Sequence, residues 1–596
     1  MQRTPTGTSP RAKLALGLIL ILALVLRVAA APASPGAGPL GGGFDREMDG
    51  FQGSFFALTS VNYARLGVGA AGGYPIVNLD ADPDAPKTWY VYANHPPLLA
   101  LFLWLDLELF GPAGWDTAPN EGAPPTSVEP GAVETVLRTP MLLASLASIL
   151  ALFWALTGAM GERRALLGTL LYAAAPLAVL DAGLVNYEPP SILCAILAFG
   201  ATFRYLEGGR RRHLVLAALA LLLGTAQTFA PLFFAIPLCL FALSYRLRRQ
   251  GLLPALRLVA ILAGAALLPI HVHAAWARHV LVGIEQVPRL TDRIGQLFEP
   301  LTSGAVPLPG WIVLQFRHLA DASSSLFRDL VLAGMAFALI DVLAAPNAKL
   351  AATDRTPVQD AQHELARAAS FAALLFAGGL AVLFFYYRHT SDGYVAGTPA
   401  QTTFMLNVLP GAAALAAVAL FEVGATLARV FQKGRAPAEL APLARFGPLV
   451  LVAAVTLLTL GSFARQTSQL FGTWRAPDPS RALPEETGGE LRTLLPPGAV
   501  GLYPEALGFT PAVALYAWRT LLPVDASVPS FQFTEVRLAA AGLSARPRYL
   551  LLPTTPSVHA KATCDALEAF FHEQTPDIAA RAPHASEHWR AWLLQR

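Results

Sequence analysis

Leu214 to Tyr245 reads LVLAALALLLGTAQTFAPLFFAIPLCLFALSY, and this run decides what kind of protein the chain is. It starts just after Arg210-Arg211-Arg212 and stops at a second cluster, Arg246, Arg248 and Arg249. A bilayer crossing takes about 20 apolar residues, and the run is roughly twice the length of a short one. Cytoplasmic flanks of membrane helices collect Lys and Arg. An apolar segment with basic clusters at both ends therefore leaves one side of the membrane and returns to it. The spacing predicts a helical hairpin that turns near Gln227 to Pro231.

The same punctuation continues in both directions. The 596 residues are 54% hydrophobic and only 14% charged, with a mean hydropathy of +0.48, too apolar for a soluble globule. Arg3, Arg11 and Lys13 precede the apolar segment Leu14 to Ala31, which puts the amino terminus inside. A cleaved signal peptide is the competing reading, because Val28 to Ala33 offers small residues; either way the next segment lies outside. Further spans are expected at Arg138–Ala159, Leu166–Leu180, Pro189–Leu206, Leu253–Ala277, Leu326–Ala345, Ala368–Tyr387, Phe404–Ala428 and Phe446–Phe463. With the first segment and the hairpin this gives a mainly α, polytopic membrane bundle of about eleven spanning helices. The expected division is a membrane domain over 1–463, with a large first outer loop at 32–137, and a small soluble α/β domain over 464–596. In the latter, Ala499 to Tyr503 and Tyr549 to Pro553 read as buried strands and Ala562 to Phe571 as a helix.

Several functions are excluded at this stage. A net charge of +3 gives no basis for nucleic-acid binding. Of three cysteines, Cys194 and Cys239 lie in apolar segments and Cys564 alone in a polar one, so neither a disulfide nor a zinc cluster is expected. No phosphate-binding glycine loop, His-Glu-x-x-His or Gly-x-Ser-x-Gly motif occurs.

The first outer loop carries the chemistry. It opens FDREMDGFQGSFFA from Phe44 and closes YVYANHPPLLALF from Tyr90, which brings Glu47, Asp49 and His95 close to one membrane surface. Pro96 and Pro97 exclude a regular helix start before them and stiffen that corner. The apolar stretch from His95 to Phe110 is short and holds Asp106 and Glu108, so a juxtamembrane helix is expected there. Arg138-Thr139-Pro140 then begins the next span, and Asn186-Tyr187-Glu188-Pro189-Pro190 begins a later one.

An acid before an aromatic, small-residue helix, then a basic-Pro-Pro-Leu corner, then an Arg-hydroxyl-Pro helix start resembles the first periplasmic loop of GT-C fold glycosyltransferases, in particular protein O-mannosyltransferases and lipid A aminoarabinose transferases. Those relatives usually have Asp-Glu where this chain has Asp49-Gly50, and often Lys-Pro-Pro-Leu where it has His95-Pro96-Pro97-Leu98. Gln227 stands where they often show a lysine. The resemblance implies an enzyme of the bacterial cytoplasmic membrane, with its carboxyl-terminal domain periplasmic. Its reaction moves a hexosyl or pentosyl group from a polyprenyl-phosphate donor to the hydroxyl of a lipid, polysaccharide or protein acceptor, with inversion.

Such a transfer needs a carboxylate to take the acceptor's proton and cations to hold the departing phosphate. The resemblance gives the first role to Asp49, which is equally placed to cap a helix, with Glu47 beside it orienting the acceptor, binding a metal or simply solvated. His95, Arg138, Arg388 and His389 are the donor-phosphate candidates. For Arg138 the other reading is snorkelling to headgroups, and for His95 a hydrogen bond within its turn. Glu188, Asn186 and Asp392 are the substrate-side candidates, with Asp181 a further acid in the same turn as Glu188; a helix cap is the plain alternative for Glu188. No cofactor is assigned, and a divalent metal shared by Asp49 and Glu188 stays open. Two other classes remain: a transporter or lipid flippase, which would place its ionisable groups near the bilayer midplane, and a non-catalytic envelope-assembly relative.

Overall fold

The computed structural model describes residues 8–32, 40, 47–70, 72–78, 89, 91–93, 95–116, 131–281, 308–344, 357–384, 403–433, 441–475, 484–504, 511–524, 546–554, 558–574, 584–586 and 588–595. In chain order the membrane part contains α1 (Pro10–Ala30), α2 (Glu47–Leu66), α3 (Leu98–Phe110), α4 (Ala132–Met160), α5 (Glu162–Ala174), α6 (Pro176–Leu180), α7 (Glu188–Gly208) and α8 (Arg211–Thr225). It continues with α9 (Ala230–Gln250), α10 (Leu252–Val280), α11 (Leu308–Ala322), α12 (Ser325–Ala344), α13 (Pro357–Val382), α14 (Leu409–Lys433) and α15 (Ala441–Arg475).

A helix stands at each of the eleven positions where a span was expected, with α5 and α6 together making one. Among the described residues seven helices (α1, α4, α7, α9, α10, α14 and α15) are long and apolar enough to cross a membrane, or eight if α5 and α6, bent by 64°, form one span. The chain is a multi-pass membrane protein. Its outer surface is correspondingly apolar, with Leu14, Leu18 and Ile21 of α1 and Leu449, Leu457 and Leu458 of α15 exposed, as suits a surface facing lipid. The 214–245 run folds as the hairpin α8–α9, turning over residues 226–229.

Helix also reaches beyond the apolar runs: α13 begins at Pro357, ahead of the span expected from Ala368, and α11 lies between the spans expected at Leu253–Ala277 and Leu326–Ala345. The first extends a span as polar helix, which no apolar periodicity marks.

The bundle has two chemically distinct ends. At one, cations lock neighbouring helices together. The Ser9 hydroxyl donates to Glu162 Oε2 at 2.7 Å, Arg164 pairs with Glu422 at 3.5 Å, Arg367 pairs with Glu207 at 2.5 Å, and Arg204 Nη2 donates to the Trp154 carbonyl at 2.6 Å. The other end is capped by the first loop. There α2 and α3 pack on each other and on the start of α4, around Phe55, Phe56, Leu103, Leu137 and Met141.

After α15 come α16 (Pro484–Leu494), β1 (Val500–Pro504), α17 (Pro511–Ala517), β2 (Thr520–Val524), β3 (Arg548–Pro553), α18 (Val558–Gln574), β4 (His584–Ala585) and β5 (Trp589–Gln595). The strands form one sheet in the order β2-β1-β3-β5-β4, with β1 parallel to β2 and β3 and β5 antiparallel to β3 and β4. This small sheet domain reaches the first loop: Leu515 of α17 and Trp518 just after it join Phe55, Phe56 and Tyr187 in one buried cluster. Trp518 is fully buried and has φ +52°, a left-handed backbone that non-glycine residues hold only where their surroundings enforce it.

Candidate active site

Four of the site candidates, His95, Arg138, Asn186 and Glu188, lie where the first loop meets the starts of α4 and α7. Glu47 and Asp49 lie in the first turn of α2. Phe56, two turns further along, is fully buried, and its ring lies 5.4 Å from that of Tyr187. Position 49 is therefore about 10 Å along the helix axis from the Phe56–Tyr187 contact.

His95 reaches the same tyrosine from the other side. The loop folds back on itself through a bridge between Ile76 and Val91, and the Leu98 amide donates to the Ala226 carbonyl at 3.3 Å in the α8–α9 turn. Between these ties the imidazole is buried in an aromatic setting: its centroid is 4.4 Å from Tyr187, 5.7 Å from Tyr92 and 6.1 Å from Phe229. Two consecutive prolines leave the corner few backbone options.

Arg138 is fully buried nearly two turns into α4, four residues after the buried Glu134. Residues spaced by four share a helix face. The Arg138 Nη1 donates to the Leu40 carbonyl at 2.8 Å. Leu40 in turn lies over Gly183, where an added Cβ would sit 3.8 Å from Leu40 Cδ2 and 3.3 Å from Ala31 Cβ.

The segment 181–188 joins these two halves. It was expected as a short polar turn on the outer side of the membrane, and every residue of it is buried. A short 3-10 turn, Asp181–Gly183, abuts Leu40, and Tyr187 packs against His95 with the rings tilted. Asp181, Asn186 and Glu188 are all buried. Asn186 Oδ1 accepts the Glu188 amide at 3.2 Å, and Pro189 and Pro190 occupy helix positions whose amides have no intrahelical partner in any case. The Asn-Tyr-Glu-Pro-Pro sequence thus builds its own helix start and turns Glu188 into a buried acid at its tip. Burial of a carboxylate requires compensating partners or substrate, so this acid is not a solvated loop residue.

The family described as Dolichyl-phosphate-mannose-protein mannosyltransferase matches residues 128–276, from just before α4 to near the end of α10. No curated protein matches the chain by sequence. Among solved structures, ArnT from Cupriavidus metallidurans in the apo state superposes with a TM-score of 0.53 at 14% identity, covering 98% of each chain. The same protein bound to undecaprenyl phosphate gives 0.52 at 15% identity over 97% of each. The Archaeoglobus fulgidus oligosaccharyltransferase in the apo form gives 0.51 at 12% identity, over 94% of this chain and 71% of that one. The chain has the GT-C fold. The superpositions on ArnT cover nearly the whole length of both chains.

Within the GT-C fold, His95 and Arg138 meet the buried segment that carries Asn186 and Glu188, His95 through Tyr187 and Arg138 through Leu40. Arg388, His389 and Asp392 lie outside the described residues. Among the described residues, no three His, Cys, Asp or Glu side chains converge as a metal site. Four residues that sequence reading did not single out belong to the surroundings: Glu134, Arg27, Tyr74 and His273. Glu134 looks like an ordinary first-turn acid, which complements a helix dipole anywhere. Arg27 sits inside the first apolar run, and the structure buries it completely.

Proposed function

We propose that this chain is a glycosyltransferase of the bacterial cytoplasmic membrane. It moves a hexosyl or pentosyl group from a polyprenyl-phosphate donor to an acceptor hydroxyl at the periplasmic face, with inversion at the sugar carbon. The observation that carries this reading is the burial of the acid Glu188 and the cation Arg138 near the starts of α7 and α4, both of which meet the short buried segment 181–188, in a fold shared with a protein solved with undecaprenyl phosphate. The clustering of arginines at the opposite end of the bundle supports an inner amino terminus and a periplasmic sheet domain.

Each residue then has a task. Asp49, at the start of α2, takes the proton of the acceptor hydroxyl as its oxygen attacks the sugar carbon. Arg138 and His95 hold the phosphate as the sugar leaves it; Arg138 offers a planar fork suited to phosphate oxygens, and His95 a ring N–H that donates to one of them. Arg388 and His389 join them on the donor side. Glu188, Asn186 and Asp392 face the sugar and acceptor, and Glu47 orients the acceptor. The acceptor class is a lipid, polysaccharide or protein. The decisive experiment uses the purified chain in lipid nanodiscs with a polyprenyl-phosphate sugar. Asp49→Asn should lower transfer by about 10²–10⁴-fold, the usual contribution of a general base, while binding of undecaprenyl phosphate persists. Unaltered transfer by that variant removes Asp49 from the mechanism, and absence of transfer by the wild-type chain with every polyprenyl donor removes the reading itself.

A further inference from the structure

His273 lies in the last third of α10 and is buried, an ionisable side chain that no step above uses. Its ring is fully engaged with the first loop. Nε2 is 3.1 Å from the Ala93 carbonyl, and Nδ1 is 2.9 Å from the Tyr74 hydroxyl. A carbonyl only accepts, so Nε2 carries the proton and donates, and Nδ1 is left to accept from Tyr74. The Tyr74 hydroxyl is also 3.0 Å from the His273 main-chain carbonyl, so its proton is shared between the two acceptors.

This contact is the centre of a clamp. Trp276 Nε1, three residues on, donates to the Gly72 carbonyl at 2.8 Å. Tyr74, Ile76, Trp89, Val91 and Ala93 bury against Ala277 and Leu281 at the end of the same helix. Ala93 is two residues before His95, and His95 precedes Pro96-Pro97, which confine it to extended backbone. Few torsions therefore separate the carbonyl that His273 holds from the imidazole of His95. Phe229 closes the arrangement, with its ring 5.9 Å from His273 and 6.1 Å from His95.

We propose that His273 is a positioning residue for the donor-phosphate corner: through its hydrogen bond to the Ala93 carbonyl it fixes where the His95 ring stands. The inference rests on the reading of His95 as a donor-phosphate ligand. It assigns to α10 a part in donor affinity although His273 itself does not touch the donor.

Amide side chains separate the two nitrogens of the imidazole. Glutamine carries an N–H donor at about the reach of Nε2, so His273→Gln keeps the bond to Ala93. Asparagine reaches only as far as Nδ1, so His273→Asn keeps a partner for Tyr74 and loses Ala93. Both variants sacrifice similar packing. The measurement is the Kd for undecaprenyl phosphate of the full chain in nanodiscs, by calorimetry, with thermal unfolding recorded alongside. His273→Asn should raise Kd about tenfold, the effect of one positioning hydrogen bond, and His273→Gln should stay within about twofold of wild type. His95→Ala should also raise Kd, and adding His273→Asn to it should raise Kd no further, since coupled residues are non-additive. If His95→Ala weakens binding while His273→Asn does not, or if the two effects simply multiply, the positioning role is wrong and the reading of His95 stands. If His95→Ala leaves Kd unchanged, the phosphate role of His95 fails and the inference fails with it.

Discussion

The imidazole of His95 and the phenol ring of Tyr187 lie 4.4 Å apart and inclined by 35°. The contact joins the first loop to the start of α7, and Phe56 of α2 packs on the tyrosine from its other side. An aromatic pair is worth about 0.5–1.5 kcal/mol beyond its buried area. Tyr187→Ala should therefore weaken undecaprenyl phosphate binding up to about tenfold and lower transfer further, because α2 also loses its neighbour. Tyr187→Phe keeps the ring and should bind the donor within about twofold of wild type. Equal loss in both variants would show that the hydroxyl, and not the stack, matters.

A second prediction concerns the packing of α12, α13 and α14. Gly411 lies so close to α13 that a Cβ there would collide with the Phe376 amide, and a Cβ on Gly334 would collide with the Leu415 carbonyl. Backbone atoms cannot swing aside as side chains do, so overpacking here costs about 1–3 kcal/mol. Gly411→Ala should lower the thermal unfolding temperature in detergent. Gly264, within α10, has no neighbour within 4 Å of an added Cβ, and Gly264→Ala should leave that temperature unchanged or raise it, since alanine is the better helix former by about 1 kcal/mol. Equal behaviour of the two variants would contradict the packing described.

The contrast between these glycines also shows why only part of the molecule was legible in the sequence. Span positions were readable because basic clusters mark where each apolar run returns, as at Arg210–Arg212 and Arg246–Arg249. Strands β1 and β3 were readable because Val500–Pro504 and Arg548–Pro553 are short, mostly apolar runs between polar stretches. The polar start of α13 and the strand β5, WRAWLLQ, carry neither signal. In the site, Arg138 and Glu188 stood out as charges at the ends of apolar runs. The burial of 181–188 did not, because Asn, Tyr, Glu and Pro in a turn look the same whether water or a folded-back loop covers them. His273 and Tyr74 were invisible for a related reason: a lone histidine in a span and a tyrosine in a glycine-rich loop gain meaning only from the long-range contact between them.

The sheet domain gives a prediction with a defined pH direction. Glu490 of α16 borders a cleft of about 490 Å³, together with Thr493, His584 and Ser586. Its carboxylate accepts from Ser586 Oγ at 2.8 Å and pairs with His588 Nδ1 at 2.6 Å. Partial burial raises its pKa, but these hydrogen bonds outweigh it and hold the carboxyl below the ordinary glutamate range. A depressed folded-state value means that the stabilisation is fully present above the unfolded-state pKa, near 4.3, and is lost as pH falls through the folded value. The pair is at the surface, so the effect is at most about 1 kcal/mol. Protection of α16 and the β4–β5 hairpin, read by hydrogen exchange of the intact protein, should fall on acidification below the ordinary glutamate pKa. Glu490→Gln should show lower protection at neutral pH and no such fall; an unchanged acid response in that variant would assign the titration to another group.

Arg27 carries the last prediction. The span formed by α5 and α6 bends by 64° because Pro176 has no amide hydrogen to continue the ladder. The bend separates the Ala173 carbonyl from the amide that a straight helix would bring to it, and Arg27 Nη1 donates there at 2.8 Å. Its Nε donates to Ser145 Oγ of α4 at 3.0 Å. One guanidinium thus ties α1 and α4 to the break, just before the segment that carries Asp181, Asn186 and Glu188. Arg27→Leu leaves a buried carbonyl without its donor, at about 1–3 kcal/mol, and in hydrocarbon no water substitutes. Arg27→Lys restores a charge but not the fork that reaches two partners. Thermal stability should therefore fall in the order wild type, Arg27→Lys, Arg27→Leu, and transfer activity should fall with it as the 181–188 segment loses its support. An Arg27→Leu chain as stable and as active as wild type would mean that the break holds its shape without the arginine.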